Sequence, residues 1–122
     1  MTEPDEPWPT EIRLKKDRKV LQVSFASGES YEFSAEYLRV CAPSADVQGH
    51  TPDQKKTVPG KRNVEVLEVR PVGNYAVKLF FDDMFDNAIY SWRYLAKMGR
   101  EYDTLWGTYL AELEEKGLSR DC

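Results

Sequence analysis

The side chains able to do chemistry are few and scattered: one histidine, His50; two cysteines, Cys41 and Cys122; and a run of carboxylates at Asp82, Asp83 and Asp86. Carboxylates so close together suit a divalent cation or an acid–base pair, but a calcium loop needs ligands at alternate positions and a distant bidentate glutamate. With Asn87 following, the run has instead the composition of a strand-connecting turn whose side chains bond to their own backbone. His50 lacks what a catalytic imidazole needs, an orienting partner and a nucleophile, and a metal would need further donors beside it. Cys41, nine residues before it, permits contact across a folded loop without requiring it, so a structural or surface histidine is expected. Two cysteines, one of them the last residue, make no disulfide framework and are read as reduced thiols. A phosphate-cradling glycine motif, a CxxC pair and a nucleophile elbow are all missing, so no enzymatic activity is expected.

Residues 41–63, CAPSADVQGHTPDQKKTVPGKRN, hold three prolines, two glycines and no apolar periodicity. A structureless stretch of that length inside a small domain is unusual and points to a functional loop. Across residues 53–62 it carries Lys55, Lys56, Lys61 and Arg62 against Asp53, a basic run in a chain whose 17 Lys+Arg and 21 Asp+Glu give a net charge of −4. An anion or an acidic protein face suits such a run. Nucleic acid does not, because the balance is acidic and no aromatics interleave with the cations as a stacking platform requires.

The elements that must position these residues follow from periodicity. At 122 residues, 41% hydrophobic, the chain fits one core and one main domain. Residues 1–9, with three prolines and three acidic side chains around Trp8, read as a disordered tail. Ile12 and Leu14, then Leu21, Val23 and Phe25, then Tyr31 and Phe33 alternate at period two and predict a three-stranded meander, turning at Lys16–Lys19 and at Ser27-Gly28. Ser34 caps a short helix over 35–39. Val64, Val66, Leu67 and Val69 shift phase by one residue, which predicts a bulge. Pro71-Val72-Gly73-Asn74 is expected to turn the chain, and Tyr75 to Phe81 and Ala88 to Tyr90 complete a second antiparallel unit. Ser91 then caps a helical region in which Tyr94, Leu95, Met98, Tyr102, Leu105, Trp106, Tyr109, Leu110 and Leu113 recur every three or four residues, with a break expected at Gly99 and a C-cap at Gly117. Glu112 and Lys116 are spaced as an i, i+4 pair. The fold class expected is α+β: a small antiparallel sheet of two hairpin or meander units, with a short helix and a C-terminal helical region packed on it. Trp92, Tyr94, Tyr102, Trp106 and Tyr109 are read as mostly core, with the remainder available to a partner.

The stretches Leu38-Arg39-Val40, Pro43 through His50, Pro71-Val72-Gly73-Asn74-Tyr75-Ala76, Phe81-Asp82-Asp83 and Ile89-Tyr90-Ser91-Trp92 with Tyr94-Leu95 resemble a small bacterial domain family of unknown function, also called the γ-butyrobetaine hydroxylase-like N-terminal domain. The resemblance runs from Pro9 to Gly99 and implies a domain over 10–99 with a helical extension over 100–122. In the hydroxylase such a domain precedes a catalytic domain holding iron and 2-oxoglutarate; nothing here corresponds to it, so that activity is not carried over. The resemblance also implies a structural zinc, whose ligand places fall on Ala42, Ser44, Val47 and Phe85 in the register set by Leu38-Arg39. All four lack the family's Cys or His, so zinc is expected to be absent; many relatives have Gly-His where this chain has Met84-Phe85. A similar domain ends certain P-loop iron–sulfur scaffold proteins, which leaves as an alternative a metal-linked accessory protein using Cys41 and His50, the only reading under which iron enters.

The expectation is therefore a non-catalytic binding or accessory domain without cofactor, docking a protein or small anionic partner through Ser44, Gln48, His50, Lys55, Lys56, Lys61 and Arg62, helped by the 82–87 turn and nearby aromatics. No apolar run approaches the roughly 20 residues of a membrane span, and the opening residues lack the order of a signal peptide. A cytoplasmic address is expected.

Overall fold

The computed structural model of the chain describes residues 8–43, 57–85 and 88–121. Strands β1 (Pro9–Leu14), β2 (Val20–Phe25) and β3 (Ser30–Ser34) form one antiparallel meander, and β4 (Val66–Val72), β5 (Ala76–Phe81) and β6 (Ala88–Ser91) a second. Helix α1 (Ala35–Val40) follows the first sheet directly, and helices α2 (Trp92–Arg100) and α3 (Tyr102–Glu115) follow the second. The α+β expectation holds, as two three-stranded sheets.

Alternation sets the faces. Register pairs Ile12 with Val23, Leu14 with Leu21, Leu21 with Phe33 and Val23 with Tyr31, so the period-two apolar residues of all three strands share the face that is buried. In the second sheet Val77, Leu79 and Phe81 go inward with Tyr90 and Val66, and Lys78 and Phe80 are left on the partly exposed side. The phase shift in β4 is a bulge at Leu67, between Val66 and Glu68. The sheets are joined where the β1–β2 turn meets β4: the Arg18 carbonyl, at a left-handed φ of 61°, accepts the Val66 N–H, and the Arg18 guanidinium donates to the Leu67 carbonyl, both at 2.8 Å. One apolar core then links Leu21, Phe33, Leu38, Val66, Leu79, Tyr90, Leu95 and Met98.

Ser34 and Ser91 cap α1 and α2 as the sequence implies, each hydroxyl accepting the N–H three residues on, from Tyr37 at 3.0 Å and Tyr94 at 3.1 Å. Three details differ from the sequence reading. Strand β1 begins at Pro9, and the Trp8 carbonyl accepts the Ala26 N–H, so sheet pairing reaches into the stretch read as a tail; residues 1–7 lie outside the described residues. Pro71 belongs to β4, paired with Val77, and the turn falls later, on Gly73 at φ 54°. The helical break falls at Glu101 and not at Gly99.

Gly99 serves close packing instead. A Cβ there would lie 2.5 Å from the Tyr31 ring, which is held between Phe25 and Phe33 with centroids 6.2 Å from each and cannot yield easily. At Gly107, within α3, a Cβ would meet open space. The two glycines therefore respond oppositely to alanine. Urea unfolding is expected to show Gly99→Ala destabilised by about 1–3 kcal/mol through overpacking, and Gly107→Ala stabilised by roughly 0.5–1 kcal/mol through helix propensity.

Candidate functional site

Helix α1 has six residues and every one is buried, including Glu36 and Arg39. Its carbonyl end receives donors from distant elements: the Tyr90 hydroxyl donates to the Leu38 carbonyl and the Tyr94 hydroxyl to the Cys41 carbonyl at 2.6 Å. Burial pushes the Tyr90 phenol well above its ordinary value and the Tyr94 phenol up to about 12, so both remain donors at neutral pH. The chain therefore enters the 41–63 segment from a fixed point.

The return of that segment is fixed as well. The Thr57 hydroxyl lies between Glu112 and Lys116, donating to the first at 3.2 Å and accepting from the second at 3.0 Å, so the i, i+4 pair expected in α3 is bridged by a residue of the segment. The Tyr109 hydroxyl donates to the Val58 carbonyl at 2.6 Å. Val40, Tyr109 and Leu113 form a small buried cluster against which Cys41, Val58 and Trp106 all pack. Both ends of the segment thus rest on the same apolar cluster.

Beside this base lies a charged group assembled from three places in the chain. One Asp83 carboxylate oxygen accepts from Arg39 Nε and pairs with Lys61 Nζ, both at 2.7 Å, and the other accepts the Phe85 N–H at 3.1 Å. The Phe85 ring lies under the Arg39 guanidinium, 4.0 Å from centroid to Cζ. Burial pushes the Asp83 carboxyl up, but hydrogen bonds from Lys61, the Phe85 N–H and Arg39 outweigh it and hold it below its ordinary value. Asp82 works on the backbone, accepting the Glu65 N–H at 3.1 Å, so both described carboxylates of the run perform the turn role. A shallow cavity of about 240 Å³ lies between this turn and the return limb, lined by Gly60, Lys61, Asn63, Val64, Asp82 and Asp83. On the far side of the turn, Leu67, Phe80, Met84 and Phe85 border an apolar groove of about 330 Å³.

Of the residues singled out for binding, Lys61 and Arg62 are described, and both are committed to ion pairs, with Asp83 and Asp121 respectively. Ser44, Gln48, His50, Lys55 and Lys56 lie outside the described residues, as do Val47 and Asp86. Among the aromatics, Trp92 and Tyr109 are buried, Tyr94 and Trp106 half-buried, and Tyr102 exposed and stacked on Trp106. The pairing of Arg39 with Asp83, 44 residues apart, is invisible to local pattern; the only hint was that each sits in a recognisable motif.

Two of the four zinc places are described, and neither fits a metal. Ala42 is fully buried and Phe85 is covered by the Arg39 guanidinium; neither side chain carries a donor. Met84, in the place where the resemblance implies glycine, keeps the left-handed backbone that glycine favours, at φ 72°. Among the described residues no three His, Cys, Asp or Glu side chains are grouped to hold a metal ion, and no helix is long and apolar enough to cross a membrane.

The fold and this base define a small α+β domain in which a buried helix and a C-terminal helix anchor both ends of a long connecting segment. The family described as gamma-butyrobetaine hydroxylase-like, N-terminal, matches residues 12–96, and the chain belongs to that family. Two NMR solution structures are similar to it, at 44% and 41% identity with TM-scores of 0.81 and 0.82, over 95% and 98% of this chain and 91% and 89% of theirs. A crystal structure of a protein with unknown function from Acidithiobacillus ferrooxidans ATCC 23270, a member of the DUF971 family, is 36% identical with a TM-score of 0.65, covering 80% of this chain and 98% of its own. No curated protein matches the chain.

Two outcomes follow. Because the Asp83 carboxyl is held low in the folded state, its stabilising contribution is complete above the unfolded value near 4 and is lost as pH falls through the folded value. Asp83→Asn is expected to cost about 3 kcal/mol at pH 7 by leaving Arg39 and Lys61 without their carboxylate, and the gap between native and variant in urea unfolding is expected to shrink toward pH 3. Elemental analysis of protein purified without chelators is expected to give far less than one metal per chain, unchanged by Cys41→Ser; stoichiometric metal abolished by that substitution would contradict this.

Proposed function

We propose that this is a non-catalytic binding or accessory domain of the cytoplasm, which docks a protein or a small anionic partner through the 41–63 segment. The observation that carries the reading is the anchoring of both ends of that segment on one apolar cluster, through Cys41 and Val58 against Val40, Tyr109 and Leu113. A polar, basic segment held at both ends loses less freedom when it engages a partner than one tethered at a single end, and the saving appears as affinity. Lys61 and Arg62 already neutralise carboxylates of the same chain, so the reading assigns contact with the partner's negative charge to Lys55 and Lys56, with Ser44, Gln48 and His50 supplying hydrogen bonds. The carboxylates Asp82 and Asp83 are engaged by backbone N–H groups and cations, which leaves the turn a structural part of the platform and not an acid–base pair.

The test compares the native chain with a variant carrying Gln48→Ala, His50→Ala, Lys55→Ala and Lys56→Ala. Native protein used as a cross-linking bait is expected to recover a partner that the variant loses, or its backbone amide spectrum is expected to respond saturably to inorganic phosphate where the variant's does not. Equal partner recovery together with equal phosphate response in the two chains would overturn the assignment to this segment.

A further inference from the structure

Glu36 lies within the buried helix α1 with 5% of its surface exposed, and its carboxylate is met by a two-pronged guanidinium: Arg120 Nε donates to one oxygen at 2.8 Å and Nη2 to the other at 2.7 Å. The same guanidinium lies over the Trp106 ring, 5.2 Å from its centroid. A carboxylate presented edge-on beside an aromatic face is selective chemistry. It matches the planar fork of arginine and its weakly hydrated face, and a lysine ammonium satisfies neither half as well.

The occupant arrives from the end of the chain. Gly117, at φ 67°, reverses the backbone after α3, with the Leu118 N–H closing onto the Leu113 carbonyl at 2.8 Å. The next residues run beside the return limb of the 41–63 segment, where the Ser119 and Arg120 carbonyls accept the Gly60 and Arg62 N–H groups at 2.9 and 3.0 Å and Asp121 pairs with Arg62. Arg120 keeps 29% of its side chain exposed while Glu36 beneath it is nearly sealed, so the guanidinium is the solvent-facing cover of the carboxylate.

We propose that Glu36 and Trp106 form a guanidinium-binding site which the chain's own Arg120 fills, and that an arginine side chain of another polypeptide takes its place and releases the return limb. The physical ground is asymmetric. Withdrawing Arg120 alone would leave a buried carboxylate uncompensated, which is strongly unfavourable, whereas exchanging one guanidinium for another preserves the pair. The strap is therefore closed in isolation and opens when a replacement is supplied. The inference does not rest on the partner reading of the 41–63 segment, although it acts on one limb of it.

The experiment uses the full chain carrying Arg120→Ala, with N-acetyl-arginine amide as the probe and the Trp106 indole N–H as the reporter. A saturable shift is expected in Arg120→Ala, roughly tenfold weaker in the native chain, where the site is filled, lost when Glu36→Gln is added, and roughly tenfold weaker with N-acetyl-lysine amide. The Gly60 and Arg62 amides are expected to exchange with solvent faster in Arg120→Ala than in the native chain. If Arg120→Ala does not fold, Arg120→Lys takes its place, and the arginine probe must still displace the weaker cation. No saturable shift, a shift indifferent to Glu36→Gln, or equal response to the lysine probe overturns the site; unchanged exchange at Gly60 and Arg62 overturns the release of the limb.

Discussion

A six-residue helix buried on every side imposes conditions that the rest of the molecule meets. Helix α1 is too short to be stable by itself, and it carries into the interior a glutamate, an arginine and a carbonyl end that water would otherwise satisfy. These groups draw partners, because an unpaired buried polar group costs more than a paired one returns; among the described residues, Arg39 Nη1 is left buried without a hydrogen bond. The partners come from four different parts of the chain: Tyr90 from β6, Tyr94 from α2, Asp83 from the turn after β5 and Arg120 from the C-terminus. The second sheet, the helices after it and the chain end are thereby drawn onto one helix. Tyr37 adds a link in the other direction, its hydroxyl donating to the Met98 carbonyl at 2.8 Å.

The anchoring of the 41–63 segment is a consequence of the same arrangement. Where α1 ends, the segment begins. Tyr94 holds that exit, and the C-terminal residues 119–121, themselves fastened by Arg120 on Glu36, hold the return limb at Gly60 and Arg62. Ion pairs at the surface play a smaller part. Arg100 grips Glu29 with two hydrogen bonds and, together with the Tyr31 hydroxyl, holds that carboxyl down to about 2, but exposed pairs of this kind contribute little to stability.

Membership of the gamma-butyrobetaine hydroxylase-like N-terminal family makes the turn at 82–85 informative. Here Phe85 stacks on Arg39 and Asp83 balances Arg39 and Lys61, so the junction between the turn, α1 and the return limb is held by charge pairing and an aromatic face. Met84 tolerates a left-handed backbone there because the surrounding contacts determine the turn: the Met84 N–H reaches the Phe81 carbonyl and the Phe85 N–H reaches the Asp83 carboxylate.

Much of this was legible in the sequence because the signals are local. Period-two alternation placed Leu21, Val23 and Phe25 on one face, a phase slip announced the Leu67 bulge, serines marked both helix starts, and Gly117 marked a helix end; each follows from backbone geometry within a few residues. What periodicity misassigned, it misassigned for a tertiary reason: Gly99 looks like a helix breaker, yet its smallness is used by the Tyr31 ring, which approaches from a strand 68 residues earlier. The candidate site divides in the same way. Composition alone singled out 41–63 as a long basic segment, but only the folded chain decided that Lys61 and Arg62 are consumed by internal carboxylates, that Arg39 meets Asp83, and that Arg120 meets Glu36 across 84 residues. Charge pairing has no period. It depends on which side chains burial leaves in need of a partner, and that need exists only once the core has closed around α1.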